Sequence, residues 1–159
     1  MAQICTIREQ SKRLLELGIS RETADMSWHF TGMQTEALQW ELKTARLTTK
    51  KNFFGKIEKL ASPFYKHPDG TLMTGEEVFD KIWGKDLPAW SLGALIEVLP
   101  SIIKEERFAI NYYLTIGKDG VTYSNLMEDE ENLYECYGAL IECCVDMIET
   151  LVIEGYIKV

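Results

Sequence analysis

The strongest constraint on the fold is a helical pattern near the C-terminus of this 159-residue chain. From about residue 130 to 154, apolar residues recur at intervals of three and four, which places them on one face of an α-helix. Acidic residues 128–131 stand at its start, where the helix dipole favours negative charge, and Gly155 stands at the position of a C-capping glycine. The pattern predicts a long amphipathic helix with an apolar stripe of Leu133, Tyr137, Leu140, Ile141, Cys144, Val145, Ile148, Leu151 and Val152.

A β-hairpin is predicted just before this helix. Residues 107–116 are rich in β-branched and aromatic side chains, GKDG at 117–120 is a turn sequence, and VTYS continues as the partner strand. Shorter patterns predict a strand around Trp28–Phe30 and helices at 6–17, 75–83 and 91–99, the last two capped by Thr74 and Ser91.

Residues 34–60 leave two interpretations open. Ala37, Leu38, Leu42 and Ala45 permit a helix, whereas Leu38, Trp40 and Leu42 also alternate with polar residues, as a half-buried strand would. Together with the other elements, this predicts an α+β fold with a small antiparallel sheet that includes the hairpin at about 107–124. Helices pack on this sheet, among them the closing helix at about 130–154 and the helix at 91–99. We expect a single domain over residues 1–159, with an elaboration at about 34–80.

The cysteines and the termini bear on where the protein works. Cys136, Cys143 and Cys144 fall in the predicted C-terminal helix, where Cys136 and Cys143 share a face but lie too far apart for a disulfide. We therefore expect reduced cysteines that pack as small hydrophobes. Because no signal-peptide pattern and no membrane-spanning window occurs, we expect a cytoplasmic protein with no membrane partner.

Charge is distributed unevenly along a chain whose formal net charge is -8. Residues 43–59 contain six basic residues and one acid, whereas residues 125–159 contain nine acids and one base. Clustered cations are typical of a site for phosphate, nucleic acid or an acidic protein surface, and Phe53 and Phe54 could stack on bases. The alternative is a solvated loop or an internal partner of the acidic helix. The candidate ligand-binding residues are Lys43, Arg46, Lys50, Lys51, Lys56 and Lys59.

The acidic C-terminal segment suggests a second kind of surface. Glu135, Glu142, Asp146 and Glu149 are spaced 7, 4 and 3 residues apart, so they share one outward face of the predicted helix. Such a row of carboxylates can imitate a phosphate backbone, although it is also the ordinary solvated face of an amphipathic helix.

No catalytic, metal or cofactor motif is found in the sequence. Two histidines and no CxxC pair are too few for a zinc site, and no glycine-rich phosphate loop occurs. Glu76 and Glu77 are consecutive and point in different directions on a helix, which makes them a poor acid/base pair. We therefore expect no cofactor and no enzyme, with an enzyme of unknown class that uses His29 as its general base as one alternative.

Three segments carry a resemblance to a known group. QSKRLLELGISRETADMSW at 10–28, LPAWSLGALIEVLP at 87–100 and CVDMIETLVIEGYI at 144–157 resemble segments of small uncharacterised proteins of phages and prophages of gut Bacteroidales. Residues 34–80 do not follow the pattern of that group. The resemblance implies a mobile-element context and a bacterial cytoplasm. The group has no settled activity, so no residue role is carried over.

These observations lead to a hypothesis about function in which binding is the activity. The leading expectation is a phage accessory protein that binds a host or phage macromolecule, such as a defence inhibitor or host-takeover factor. The partner is most simply an unknown protein, and the apolar strip of the last helix would also suit a homodimer. The alternative is a binder of nucleic acid or a phosphorylated small molecule through residues 43–59.

Overall fold

A computed structural model describes residues 3–35, 38–106, 109–125 and 132–159. These ranges hold four α-helices and seven strands, which form a three-stranded sheet of order β2-β1-β3 and a four-stranded sheet of order β4-β5-β6-β7. In chain order the elements are α1 (Arg8–Glu16), β1 (Met26–Phe30), β2 (Trp40–Lys43), α2 (Gly75–Trp83), β3 (Leu87–Ala89), α3 (Leu92–Val98), β4 (Ile102–Glu105), β5 (Ile110–Ile116), β6 (Gly120–Ser124), β7 (Tyr134–Tyr137) and α4 (Leu140–Ile153). The predicted α+β class is confirmed.

The chain forms two compact units. The terminal unit comprises Met1–Asp25 and Ala89–Val159, and the central unit comprises Met26–Pro88. The elaboration predicted at 34–80 lies within the central unit. No helix in the described ranges is both long enough and apolar enough to cross a membrane.

The terminal unit has its core between the antiparallel sheet β4-β5-β6-β7 and the helix α4. Val121 and Tyr123 of β6 are fully buried and meet Val145, Ile148 and Leu151 of α4 in one cluster. Helices α1 and α3 pack against α4, so α3 reaches the core mainly through that helix. The predicted hairpin is confirmed by the pairing of β5 with β6, with the described part of its first strand starting at Ile110.

The C-terminal helix is shorter than the sequence pattern predicts. It begins at Leu140, because Tyr134–Tyr137 pair with β6 as strand β7, and residues 128–131 lie outside the described residues. Alternation explains the error: the half-buried Tyr134 and Cys136 share one face of the strand, while Glu135 and Tyr137 face solvent. Gly138, at φ 141°, then separates the strand from the helix. The apolar stripe of α4 therefore starts at Leu140.

The end of α4 follows the prediction. Gly155 has φ 78°, its N–H donates to the Val152 carbonyl, and the Tyr156 N–H donates to the Leu151 carbonyl. This is the Schellman arrangement, which uses the freedom of glycine at positive φ to satisfy the last carbonyls of a helix. Helix α1 ends in the same way at Gly18.

The change from helix to strand also relocates one of the cysteines. Cys136 lies on β7 and Cys143 on α4, so the prediction that both share one helical face is wrong. All four cysteines are free, and Cys5, Cys143 and Cys144 are buried. Burial raises the pKa of Cys143 to about 12 and that of Cys144 to about 11, so both thiols stay protonated at neutral pH.

The central unit is built on the antiparallel pair β1–β2 and on helix α2. The sequence patterns for β1 and for α2 with its Thr74 cap are confirmed, and the strand interpretation of 34–60 holds at Trp40–Lys43. The other described residues of that segment are loop and turn, apart from Leu38, which is in 3₁₀ conformation, and the 3₁₀ turn at Ile57–Leu60, which packs against α2.

Candidate functional site

The polar face of the β1–β2 pair provides the floor of the candidate site. His29 stands opposite Glu41, and Ser27 stands opposite Lys43. Directly opposed residues of an antiparallel pair share a face, so these four side chains lie together. The other face is apolar: the rings of Phe30 and Trp40 are 5.0 Å apart in an edge-to-face contact. Alternation along two short strands thus separates a polar surface from an aromatic one.

A histidine–aspartate pair lies at the centre of this polar face. His29 Nδ1 is 2.9 Å from Asp86 Oδ2 and 3.0 Å from Oδ1, and Asp86 Oδ1 also accepts a hydrogen bond from the Phe30 backbone N–H at 3.0 Å. The Asp86 side chain is 4% exposed and that of His29 is 22% exposed. A carboxylate at Nδ1 selects the tautomer with its proton on Nδ1, which leaves Nε2 of a neutral imidazole as an acceptor.

Asp86 owes its position to the end of α2. Gly84 ends the helix, and the Asp86 N–H donates to the Trp83 carbonyl in the turn that leads into β3. This turn directs the carboxylate under β1, where the His29 ring and the Phe30 N–H satisfy it. A buried carboxylate needs such donors, because desolvation without them is costly.

His29 opens into a cavity of about 380 Å³, which we call the polar cavity. Its lining combines the polar strand face with the loop after β2 and the end of α2. The lining residues are Ser27, His29, Lys43, Ala45, Arg46, Thr48, Ile82, Trp83 and Asp86. His29 also lines a cavity of about 480 Å³ that includes Lys81 and Lys85.

A second cavity, of about 540 Å³, adjoins the first, and we call it the aromatic cavity. It shares Ala45, Arg46, Thr48 and Trp83 with the polar cavity and adds Asn52, Phe53, Phe54 and Gly55. The Phe53 ring packs 5.5 Å from Phe79 and 5.4 Å from Trp83, which attaches the loop to α2. Phe54, the next residue, is fully exposed at the cavity edge.

The six predicted basic residues fall into different environments. Lys43 and Arg46 line the polar cavity, and Lys43 Nζ pairs with Glu41 Oε2 at 2.6 Å. Lys50 is 3.1 Å from Asp80 and 3.4 Å from Glu76, both on α2. The remaining three, Lys51, Lys56 and Lys59, are exposed and line neither the polar nor the aromatic cavity.

Arg46 differs from Lys43, the other cation of the polar cavity, because its charge is available to a ligand. Within the described part of the chain its guanidinium makes no ion pair or hydrogen bond, and the residue is exposed at the point where the two cavities meet. Glu41, on the same strand face, is paired with Lys43, and Asp86, which lines the polar cavity, is paired with His29. Arg46 is therefore a cation directed at a cavity rather than at a protein partner.

The predicted acidic face of the C-terminal helix is not a free surface. Glu135 lies on β7, so it cannot share a helical face with the other three acids. Arg13 of α1 is 2.8 Å from Asp146 and also pairs with Glu149, while Gln10 donates to Glu142 at 3.1 Å. Side chains of α1 thus bind three of these carboxylates and the fourth lies off the helix, so the four acids do not form one free row that could imitate a phosphate backbone.

Asp86 and its pairing with His29 are not predicted by the sequence. His29 was identified as an alternative general base, but its partner lies 57 residues away along the chain. No local pattern marks Asp86, because a turn between a helix and a strand commonly carries an acidic residue. Glu76 and Glu77, which the sequence analysis judged a poor acid/base pair, bind Lys50 and cap α2.

Among the described residues, no group of three or more His, Cys, Asp and Glu side chains could hold a metal ion. Comparison of the chain with protein-family models, with characterised proteins and with solved structures found no match. The side chains of the two cavities and the His29–Asp86 pair are therefore the features that bear on function.

Proposed function

We propose that the central unit binds a nucleotide unit, with its phosphate on Arg46 in the polar cavity and its base in the aromatic cavity. The observation that carries the proposal is the junction of the two cavities at Arg46 and Trp83. A phosphate next to an aromatic ring is the chemistry shared by a free nucleotide and by single-stranded nucleic acid.

Arg46 is the group expected to hold the phosphate. A guanidinium offers several N–H donors in a plane and binds a phosphate through two of them at once. Because no carboxylate in the described residues neutralises Arg46, binding of a phosphate does not first require an internal ion pair to break. Lys43 lines the same cavity, but Glu41 pairs with its charge, so Arg46 is the cation assigned to the phosphate.

Phe54 and Trp83 are the surfaces expected to hold the base. Single-stranded nucleic acids bind to aromatic side chains because every base has a face that stacks. An entirely exposed phenylalanine beside a cavity contributes little to a core, so its ring is accessible for stacking on a base. Trp83 is fixed by contacts with Phe53 and Phe79, so it provides a rigid wall.

The charge distribution favours this unit over the rest of the chain. Residues 26–88 contain nine Lys and Arg against eight Asp and Glu, a formal charge of +1, whereas the remaining residues carry -9. A polyanion is repelled by the acidic segments, so the central unit is the part of the chain that it can approach.

The broader expectation of a phage accessory protein stays a prediction. Single-stranded nucleic acid is one of the host or phage macromolecules that such a protein would bind. The proposal therefore joins the leading hypothesis from the sequence to its alternative, and it assigns the interaction to residues 26–88.

The test is fluorescence anisotropy at low salt, with a labelled oligodeoxythymidylate of about eight nucleotides, a length within the range that single-strand sites cover. Unlabelled ATP, as competitor, separates a mononucleotide site from one that needs a longer strand.

We expect Arg46→Gln to raise Kd about tenfold or more, since a charged hydrogen bond is lost. Lys50→Gln is the matched control, because Lys50 is already paired with an acid of α2. We expect its Kd to change by less than about twofold, since an exposed ion pair contributes little. Absence of binding of the labelled oligonucleotide at low salt, or an unchanged Kd for Arg46→Gln, would contradict the proposal.

A further inference from the structure

The His29–Asp86 pair provides more than phosphate binding requires. Asp86 is nearly buried, yet it is placed to hold one particular ring nitrogen, Nδ1, with both of its oxygens within 3.0 Å. The Phe30 N–H fixes the same carboxylate from the backbone. A carboxylate held in this way orients an imidazole and stabilises the positive charge that develops when Nε2 takes a proton.

The other histidine of the chain shows the contrast. His67 meets Glu77 through Nε2 at 3.3 Å, and Glu77 is itself exposed and engaged in the cap of α2. His67 lines none of the three cavities described above. Only His29 combines a buried carboxylate at Nδ1 with a place on the cavity that holds Lys43 and Arg46.

Among the described residues, no side-chain hydroxyl forms a hydrogen bond with His29. Ser27 is on the same strand face and lines the same cavity, but its hydroxyl donates to the Ala45 carbonyl at 3.0 Å. Its proton is therefore directed away from the imidazole, which is the reverse of what a serine nucleophile needs. A base in this cavity would instead act on a hydroxyl that the ligand supplies.

We propose that His29 is a general base that cleaves single-stranded RNA, with the ribose 2′-hydroxyl of the bound nucleotide as nucleophile. This inference rests on the proposed function, because it requires a nucleotide in the two cavities. RNA is the ligand class that brings its own hydroxyl next to a phosphate.

The reaction conserves atoms and charge without a further reactant. His29 Nε2 accepts the 2′-hydroxyl proton, the O2′–P bond forms, and the P–O5′ bond breaks. The 5′-oxygen takes a proton from water, and the hydroxide so formed takes the proton back from His29. The products are a 2′,3′-cyclic phosphate and a 5′-hydroxyl. Arg46, on the same cavity, lowers the energy of the extra negative charge at phosphorus.

The experiment follows the cleavage of a labelled oligouridylate in the presence of EDTA, with the matching 2′-deoxy oligomer as a binding probe. We expect a 2′,3′-cyclic phosphate product by mass spectrometry, and no cleavage of the 2′-deoxy oligomer. His29→Gln should lower the rate by about 10²-fold or more, the usual contribution of a general base. His67→Gln is the matched control and should cleave like the wild type.

Asp86 is a positioning residue, and its variant tests the pair independently. Asp86→Asn keeps an oxygen for the Phe30 N–H but removes the charge that supports the imidazolium. We expect it to lower kcat while it leaves KM and the Kd of the 2′-deoxy oligomer near the wild-type values, whereas a merely structural loss would change all three.

The possible outcomes separate the two proposals. If the wild type binds the 2′-deoxy oligomer but leaves RNA intact, general-base catalysis is wrong and the nucleotide site stands. If His29→Gln binds that oligomer and cleaves RNA as fast as the wild type, the activity does not belong to His29. If neither oligomer binds, the proposed function fails and the inference fails with it.

Discussion

Phe54 is the residue whose substitution best separates an effect on ligand binding from an effect on stability. Its side chain is fully exposed and makes no ring contact in the described part of the chain, unlike Phe53 beside it. A side chain with so little burial contributes little to stability, so any effect of its removal on ligand affinity reports the site itself.

We predict that Phe54→Ala weakens binding of the labelled oligodeoxythymidylate by about 1–3 kcal/mol, or roughly 5- to 150-fold in Kd, because one stacked base loses its aromatic partner. The thermal unfolding midpoint should not change. Phe64→Ala is the control, since Phe64 is 92% exposed and lines neither the polar nor the aromatic cavity. An equal loss in both variants would indicate non-specific apolar contact instead of a site.

At the scale of single elements, the start of α3 depends on one serine and one aspartate. Ser91 Oγ accepts from the Ala94 N–H at 3.2 Å and donates to Asp25 Oδ2 at 2.5 Å, while the Ser91 N–H donates to Asp25 Oδ1 at 2.9 Å. Asp25 thereby positions the side chain that caps the helix.

We predict that Ser91→Ala lowers the free energy of unfolding by about 1–2 kcal/mol, since it removes an N-cap and a hydrogen bond to a carboxylate. Urea unfolding measures the change. Ser101→Ala is the control, because Ser101 is exposed and its hydroxyl has no partner among the described residues. A loss for Ser101→Ala as large as that for Ser91→Ala would show that the cap is not the cause.

The cap of α2 gives a prediction about pH. Glu77 accepts hydrogen bonds from the Thr74 N–H at 2.8 Å and from the Thr74 hydroxyl at 3.1 Å, and these hold its pKa below the usual range. Because the folded-state pKa is lowered, the interaction stabilises α2 above the ordinary pKa of a glutamate and is lost as pH falls through the lowered value.

Thr74→Ala removes the hydroxyl and leaves the backbone donor, so the pKa of Glu77 should rise part of the way to its usual value in an NMR titration. Asp69 serves as an internal reference, because bonds from Thr71 lower its pKa independently. A Glu77 pKa that does not move in Thr74→Ala would contradict this role of the hydroxyl.

Local signals explain which elements the sequence predicted. The ends of α1, α2 and α3 and the β5–β6 turn are encoded within a few residues, in Gly18, Thr74, Ser91 and the GKDG turn. Strand β7 was not predicted, because Tyr134–Tyr137 lie inside a longer stretch that also fits a helical period. Its pairing with β6 is a tertiary contact that no local pattern encodes. No sequence pattern predicted β4 either, and its pairing with β5 is equally a tertiary contact.

The candidate site was predictable only in part, for a similar reason. Charge density marked the segment that contains Arg46, and the sequence also identified Phe54 and His29. The cavities that bring them together require β1, α2 and the turn at Asp86, and no local pattern encodes that arrangement.

Across the molecule as a whole, some charges of each unit are paired with opposite charges of the same unit. Arg13 meets Asp146 and Glu149 in the terminal unit, and Lys50 meets Glu76 and Asp80 in the central unit. The net charge of -8 nevertheless arises outside residues 26–88, which carry +1. Affinity for a polyanion should therefore depend on a few cations of the central unit and not on the net charge.

We predict that log Kd for the oligodeoxythymidylate rises with log salt concentration, with a slope of about 0.7 for each phosphate that a cation contacts on a single strand. Arg46→Gln should reduce the slope by about one such contact. Lys104→Gln, which removes an exposed cation on β4 of the terminal unit, should leave it unchanged. An equal reduction in both variants would indicate general charge attraction.

An NMR titration of the ¹⁵N-labelled protein with the unlabelled oligodeoxythymidylate tests directly whether the central unit holds the nucleotide site. We expect the largest amide shift changes on Ser27–His29, on residues 45–55 and around Trp83, and little change in the amides of Ala89–Val159. Changes concentrated in Ala89–Val159, or no changes at saturating concentrations of the oligonucleotide, would contradict a nucleotide site in the central unit.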